Sequence, residues 1–191
     1  ERHGPDARLI AGGHSLLPMM KLRLARPTVL IDINDLSDLS YVRLDQNELC
    51  VGSMARHRDL LNSPLVAEHF AIMRDAERVI ADPIVRNRGT VGGSLCQADP
   101  SADLSAVFAA LRAHAVVGST SGTRTLGMDE FFVGPYTTAV GPAEILIELR
   151  VPISQGFGSS YQKVERRVGD WAVAAAGACL WIDGGRIARA G

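Results

Sequence analysis

Two glycine pairs have the residue types that a diphosphate-binding segment needs. Gly12-Gly13 lies in the sequence A-G-G-H-S, and Gly92-Gly93 lies in T-V-G-G-S. A diphosphate is bound by several converging backbone N–H donors, and glycine lets the main chain approach closely because it has no Cβ and tolerates positive φ. Hydroxyl donors accompany both pairs, at Ser15, Thr90 and Ser94. Both segments are therefore candidate diphosphate-binding loops, although a single Gly-Gly pair is more often a simple turn.

Other classes of site are disfavoured by the sequence. Neither glycine pair continues into Gly-Lys-Ser/Thr, as in a P-loop, and neither has the G-x-G-x-x-G spacing of a Rossmann turn. The three cysteines, Cys50, Cys96 and Cys179, form no C-x-x-C pair, so this chain alone supplies neither a zinc site nor a cysteine-ligated iron–sulfur cluster. Its 20 basic and 21 acidic residues give a formal net charge of −1. We therefore expect no metal site in this chain and no nucleic-acid partner.

The hydropathy pattern and the cysteine spacing bear on location. No apolar run reaches the roughly 20 residues that a membrane-spanning helix needs, so we expect no transmembrane segment. Three cysteines at unrelated spacings do not make the framework of a secreted, disulfide-rich domain. We therefore predict reduced thiols and a cytoplasmic protein.

The first glycine pair is expected to follow a short strand. Residues 7–10 predict that strand, residues 16–24 predict a short apolar helix, and residues 28–33 (T-V-L-I-D-I) predict a second strand rich in β-branched side chains. Together they indicate a small α/β unit over residues 1–35. We expect its first strand and helix to precede residue 1.

The second glycine pair is expected to lie between helices. Residues 41–44 and 48–52 predict a hairpin, and residues 56–80 predict a helix broken by a proline. A further helix is predicted to begin with Asp99 as its N-cap and Pro100 at its first helical position. Its buried stripe, at spacing i, i+3, i+4 and i+7, consists of Leu104, Val107, Phe108 and Leu111.

The remainder of the chain has the pattern of short strands, at residues 115–117, 123–126, 145–151, 161–165 and 174–181. Helices followed by strands indicate an α+β fold rather than alternating βαβ units. Residues 155–160 are rich in glycine and serine and are a linker candidate. We therefore predict a second unit over residues 36–155 and the beginning of an incomplete third domain over residues 156–191.

Long segments of the chain resemble one protein family. AGGHSLLPMMKLRLARPTVLIDIN (residues 11–34) and IADPIVRNRGTVGGSLCQADPSADL (residues 80–104) resemble the two signature segments of the medium, FAD-binding subunits of molybdenum hydroxylases of the carbon monoxide dehydrogenase and xanthine dehydrogenase type. FFVGPYTTAV (131–140), EILIELRVP (144–152) and YQKVERRVGDWAVA (161–174) follow in the family's order. The resemblance implies an α+β fold with two α/β FAD-binding domains of the PCMH (vanillyl-alcohol oxidase-like) type and the start of a truncated C-terminal domain.

The resemblance also implies a function and partners. In this family a molybdenum cofactor oxidises the substrate, [2Fe–2S] clusters relay the electrons, and FAD passes them to an external acceptor. This chain would bind FAD, and the molybdenum cofactor and [2Fe–2S] clusters would lie only in partner subunits. The implied partners are therefore an iron–sulfur subunit and a molybdenum-cofactor subunit of a heteromeric complex.

Specific residues follow from the same resemblance. Both Gly-Gly segments of the family hold the FAD diphosphate, which here assigns Ala11, Gly12, Gly13, His14, Ser15, Thr90, Gly92, Gly93 and Ser94. Asp103 matches an aspartate at the ribityl or ribose group, and Leu146 and Lys163 match positions close to the flavin. No catalytic acid–base set is expected, because the cofactor performs the redox chemistry.

Several of these residues have a second interpretation. Asp103 could simply oppose a helix dipole, and Lys163 could be an ordinary solvated lysine. Trp171 and Tyr136 are candidates for packing near the flavin ring, but a tryptophan followed by Ala-Val is more typical of a protein core, and neither is assigned to the site.

Two other functions remain open from the sequence. One is a self-contained FAD-dependent reductase on the same fold, of the enolpyruvyl reductase type, which would carry its own acid–base residues. The other is a flavin-free interaction module that keeps the fold. Intact glycine pairs count against the second, since a chain that binds no diphosphate could accept alanine there.

Overall fold

The N-terminal unit is a β–α–β arrangement, as predicted. The computed structural model of the protein describes Gly4 and residues 6–191. Strand β1 (Ala7–Ile10) pairs in parallel with β2 (Val29–Asp32), and helix α1 (Leu16–Lys21) connects them. The helix is shorter than the predicted 16–24: it ends at Lys21, with Leu22 as its C-cap. These two strands pair only with each other among the described residues, so side chains and loops must dock the unit against the rest of the chain.

A helical layer with one hairpin follows. After a short 3-10 helix (Ser37–Leu39), strands β3 (Val42–Asp45) and β4 (Glu48–Gly52) form the predicted hairpin. Six helices come next: α2 (His57–Asn62), α3 (Pro64–His69), α4 (Ala71–Val79), α5 (Pro83–Arg88), α6 (Val91–Gln97) and α7 (Asp103–Ala110). The helix predicted over residues 56–80 is thus three helices. It breaks at Ser63, whose hydroxyl caps α3, and again at Phe70.

The C-terminal half contributes most of the strands. They are β5 (His114–Ser119), β6 (Gly122–Gly127), β7 (Phe132–Gly134), β8 (Thr137–Thr138), β9 (Ile145–Pro152), β10 (Phe157–Glu165), β11 (Ala172–Asp183) and β12 (Arg186–Ala190). A short helix, α8 (Met128–Phe131), lies between β6 and β7. Five strands form an antiparallel sheet in the order β3-β4-β9-β5-β6. Strands β10, β11 and β12 form a second antiparallel sheet. The fold is α+β, as predicted.

One hydrophobic core connects these layers. The predicted stripe of Leu104, Val107, Phe108 and Leu111 is buried, and α4 and α7 pack against β10 and β11. Tyr161 of β10 and Cys179 of β11 belong to the same buried cluster. The division into units 1–35, 36–155 and 156–191 therefore remains a prediction. No helix in the described part of the chain is long and apolar enough to cross a membrane.

Two sequence predictions about local structure are wrong. Asp99 does not cap a helix: its carboxylate accepts a hydrogen bond from Ser101 N at 2.8 Å in a turn, and α7 begins only at Asp103. The glycine–serine segment at residues 155–160 is not a free linker, because its residues from Phe157 onward are paired in β10. Aspartate and serine occur in helix caps, turns and loops alike, so their presence alone does not decide which of these structures forms.

Candidate functional site

A cavity of about 1450 Å³ lies between the β1–α1–β2 unit and the helical layer. Eleven of the twelve predicted site residues line it: Ala11, Gly12, Gly13, His14, Ser15, Thr90, Gly92, Gly93, Ser94, Asp103 and Leu146. Residues separated by more than 70 positions in the sequence are therefore brought to one place. Lys163 is not among the described lining residues. Drug-sized ligands occupy cavities of roughly 300–1,000 Å³, so this one can hold a larger, elongated molecule.

The first glycine segment lines the cavity and has unengaged backbone donors. Within the described part of the chain, the backbone N–H groups of Gly12, Gly13 and His14 donate no hydrogen bond. Gly13 has φ +75°, a left-handed conformation that glycine adopts without strain. The segment leads directly into α1, with Leu17 N donating to Gly13 O at 3.0 Å. Consecutive free N–H groups of this kind form an anion-binding concavity.

Gly12 also makes a close contact with the opposite side of the cavity. A Cβ placed on Gly12 would lie 2.8 Å from Gly89 Cα and closer still to Arg88 O. Only a residue without a side chain fits at this junction. The glycine is therefore required by the contact between two protein segments.

The second glycine segment is not the loop that the sequence predicted. Thr90 is the N-cap of α6, and its Oγ1 accepts a hydrogen bond from Gly93 N at 3.0 Å. Gly92 N donates to Ser53 O at 2.9 Å, and Ser94 N donates to Thr90 O at 3.0 Å. All three N–H groups are thus engaged within the protein. This segment contributes the half-buried Ser94 side chain and the exposed surface of Gly93 to the cavity wall.

Asp103 and Lys163 form one buried network. Asp103 Oδ1 accepts a hydrogen bond from Tyr161 Oη at 2.7 Å, and Oδ2 lies 3.2 Å from Lys163 Nζ. Lys163 Nζ also donates to Val79 O at 3.1 Å and lies 3.5 Å from Glu165 Oε2. Burial and the bond to Asp103 raise the pKa of the Tyr161 phenol.

This network changes how both residues are interpreted. The Lys163 side chain is 2% exposed, so it is not a solvated lysine. It contacts Asp103, which lines the cavity wall directly. Asp103 is also the first residue of α7, where a carboxylate opposes the helix dipole, so its two interpretations are compatible.

The remaining predicted wall residue and two aromatic residues also belong to the cavity lining. Leu146 of β9 is buried and lines the cavity. Trp171 and Tyr136 line it as well and are 58% and 59% exposed. The interpretation of Trp171 as a core residue is wrong. Trp181 is the tryptophan that packs against the core, where it is partly buried and stacks on Phe157 with ring centroids 5.9 Å apart.

Sequence reasoning missed three polar residues at the site. Ser53 and His57 line the cavity and are buried, and Ser53 Oγ has no hydrogen-bond partner among the described residues. Arg56 bridges the two sides of the cavity by donating to Asn34 Oδ1 at 2.8 Å and to Arg88 O. None of the three stands in a recognisable motif, and the side-chain partners of Arg56 and His57 are 20 or more residues away. No group of three or more His, Cys, Asp or Glu side chains able to hold a metal ion occurs in the described ranges.

Comparisons with known proteins agree with this architecture. Residues 1–154 match the family described as FAD binding domain in molybdopterin dehydrogenase. The carbon monoxide dehydrogenase medium chain of Hydrogenophaga pseudoflava is 42% identical over 187 residues, which are 97% of this chain and 65% of that protein. The glyceraldehyde dehydrogenase medium chain of Sulfolobus acidocaldarius is 38% identical over 182 residues, 95% of this chain and 65% of that protein.

Solved structures of related enzymes are similar to this chain over nearly its whole length. Carbon monoxide dehydrogenase from H. pseudoflava, in a form that lacks the Mo-pyranopterin moiety of its molybdenum cofactor, superposes with a TM-score of 0.96 at 42% identity. The match covers 99% of this chain and 66% of that one. Quinoline 2-oxidoreductase from Pseudomonas putida 86 has a TM-score of 0.91 at 36% identity, over 98% of this chain and 65% of that one. The chain thus spans about 65% of the length of these relatives, and it belongs to the family of FAD-binding domains of molybdopterin dehydrogenases.

Proposed function

We propose that this chain binds FAD in the cavity between its two glycine segments and serves as the flavin-binding, electron-transferring part of a molybdenum and iron–sulfur hydroxylase. The observation that carries the proposal is that Gly12, Gly13 and His14, whose N–H groups are unengaged among the described residues, line a cavity that the second glycine segment also lines. When bound, FAD supplies the redox chemistry, since it accepts and releases electrons. The protein supplies binding and orientation.

The wall residues suit different parts of that cofactor. The free N–H groups of the first segment suit the diphosphate, and the Ser15 and Ser94 hydroxyls line the same cavity. The Asp103 carboxylate, oriented by Tyr161 and Lys163, is an acceptor for the hydroxyls of the ribityl or ribose group. The buried Ser53 Oγ, which has no partner among the described residues, is a further polar atom in the wall. The residues present therefore fit FAD.

The proposed setting is a cytoplasmic, heteromeric enzyme. Relatives are named as medium chains or subunits of dehydrogenases and a hydroxylase, which supports a partnership with an iron–sulfur subunit and a molybdenum-cofactor subunit. The three cysteines are free thiols, consistent with a reducing compartment. The similarity to carbon monoxide dehydrogenase medium chains supports the electron-transfer role over a self-contained enolpyruvyl reductase, and the open cavity supports it over a flavin-free module.

The proposal is tested by titrating the purified chain with FAD. We expect a protein-bound flavin spectrum that survives removal of free cofactor. Gly93→Val should weaken binding at least tenfold, because its side chain would project into the cavity wall and press on the capping Thr90 Oγ1, 2.6 Å from the added Cβ. Gly158→Val is the matched control, since a Cβ on this strand glycine meets nothing within 4 Å.

Two outcomes would overturn the proposal. One is a wild-type chain that folds but retains no FAD; the other is equal FAD affinity in Gly93→Val and Gly158→Val. The role in the complex is tested separately, by adding the FAD-loaded chain to iron–sulfur and molybdenum subunits from a relative and measuring substrate-dependent reduction of an artificial acceptor dye.

A further inference from the structure

A buried acid–base pair lies behind the cavity wall. Glu77 of α4 is fully buried, and both of its carboxylate oxygens lie 3.2 Å from His57 Nδ1. His57 begins α2, is 5% exposed and lines the cavity. In the described part of the chain, His57 is the only residue that hydrogen-bonds the Glu77 side chain. Burial raises the pKa of Glu77, and His57 together with the more distant Arg86 counteracts this rise.

Such a pair is costly to bury, so its location calls for a physical reason. Two ionisable groups lose their hydration on burial, and an apolar pair of the same size commonly packs as well or better. The proposed binding of FAD uses neither group directly. What the pair does provide is a fixed orientation for the imidazole, because Nδ1 is held by two carboxylate oxygens at equal distance.

The opposite edge of the imidazole supports Gly89. A Cβ on Gly89 would lie 2.9 Å from His57 Cδ2 and 3.3 Å from Nε2, so the ring edge packs directly on this glycine. The backbones are also joined, with His57 N donating to Gly89 O at 3.2 Å. Gly89 in turn precedes Thr90, the N-cap of the second glycine segment, and it packs closely against Gly12 of the first.

We propose that His57 and Glu77 are positioning residues for the cofactor cavity: Glu77 orients the His57 ring, and the ring holds Gly89 at the junction where the two glycine segments meet. The proposal rests on the proposed function and extends it to two residues that contribute no free backbone donor to the diphosphate. Loss of the pair should disturb the relative placement of both segments and weaken FAD binding while the distant sheets remain folded.

The test is FAD affinity in the full chain, measured by titration, with thermal unfolding recorded in parallel. Glu77→Leu removes the acceptor and should raise the Kd for FAD about tenfold or more. Glu77→Gln keeps one oxygen that can accept from Nδ1 and should restore the Kd to within about threefold of wild type. Glu68→Gln is the matched control, because Glu68 is an exposed glutamate 3.9 Å from His69 Nε2 in a surface pair of the same chemistry.

A second variant keeps the proposal testable if Glu77→Leu does not fold. His57→Gln retains a polar group facing Glu77 but lacks the ring edge against Gly89, and it should also raise the Kd about tenfold. A wild-type Kd in folded His57→Gln, or in folded Glu77→Leu with only the melting temperature lowered, would show that the pair is merely structural. Absence of FAD binding by the wild-type chain would instead refute the proposed function itself.

Discussion

A guanidinium bridge joins the β1–α1–β2 unit to the opposite wall of the cavity. Arg56 Nη2 donates to Asn34 Oδ1 at 2.8 Å, and Nη1 donates to Arg88 O. Asn34 Nδ2 donates in turn to Ala11 O at 2.8 Å. The bridge therefore reaches from the first glycine segment to the residue before Gly89. Because β1 and β2 pair only with each other among the described residues, docking of the unit depends on such contacts.

We predict that Arg56→Met weakens FAD binding by about 10- to 100-fold. Hydrogen bonds to charged groups contribute about 1.5–3 kcal/mol each. Arg56 is partly exposed, so we discount its two bonds for solvent to about 1.5–3 kcal/mol together. At about 1.4 kcal/mol per factor of ten, this loss gives the expected change in Kd. It should appear in binding because Gly12 and Gly13 line one cavity with the second glycine segment only when the unit is docked.

The assay is quenching of FAD fluorescence on binding, with Arg58→Met as the control. Arg58 lies in α2, whose N-cap is Arg56; it is 56% exposed and pairs with Asp59 at 3.4 Å, so its loss removes the same charge without removing the bridge. Asn34→Ala should reproduce part of the effect without a change in charge. A double-mutant cycle of Arg56→Met and Asn34→Ala should give a coupling of about 1 kcal/mol or more. Equal Kd values for Arg56→Met and Arg58→Met, or zero coupling, would show that the bridge does not dock the unit.

Three further predictions concern stability. Lys163→Met should lower the free energy of unfolding by about 3–5 kcal/mol in urea titrations, because it leaves buried Asp103 without its cation; a loss below about 1 kcal/mol would contradict this. The Arg124 guanidinium and the Gly141 N–H lower the pKa of Glu144 from 4.5 to about 2, so its stabilisation is present above pH 4.5 and is lost as the pH falls to about 2. Glu144→Gln should therefore lose less stability than wild type over that range, and parallel acid titrations would disprove the claim. Gly92→Ala should destabilise the fold by about 1–3 kcal/mol, since its methyl would lie 2.6 Å from Ser53 Cβ; an unchanged melting temperature would show that the site relaxes freely.

Local patterns predicted the elements that carry the site. The i, i+3, i+4, i+7 stripe on α7 determines a helix, because burial of that face is the dominant favourable term. The run ending at Asp32 is exposed or half-buried, so its strand follows from the β propensity of its residues. The helix start at Asp99 failed for a specific reason. Aspartate caps a turn as readily as a helix, and here the turn at Ser101 takes the carboxylate, which delays the helix to Asp103.

The parts of the site that could not be predicted depend on contacts distant in sequence. Arg56 and His57 have partners 20 or more positions away, so nothing beside them marks their roles. Lys163 illustrates the same limit, because only its position next to Asp103 and Val79 distinguishes it from a solvated lysine. The resemblance to a family assigned Lys163 and Asp103 to the flavin region, and the structure joins the two in one network.

The two glycine pairs have similar sequences, and in both pairs the first glycine makes different contacts from the second. In each pair the first glycine approaches backbone: Gly12 lies against Gly89, and Gly92 lies against Ser53. The second has fewer protein neighbours, since Gly13 meets only side chains and Gly93 meets only Thr90. A requirement for glycine at the first position therefore reflects how distant backbone segments pack. At the second position it reflects local structure, since Gly13 has φ +75° and a Cβ on Gly93 would lie 2.6 Å from the Thr90 hydroxyl that caps α6. A side chain at position 92 therefore meets another segment, whereas one at position 93 meets only the N-cap residue of its own helix, so we expect a variant of Gly93 to disturb the fold less than one of Gly92.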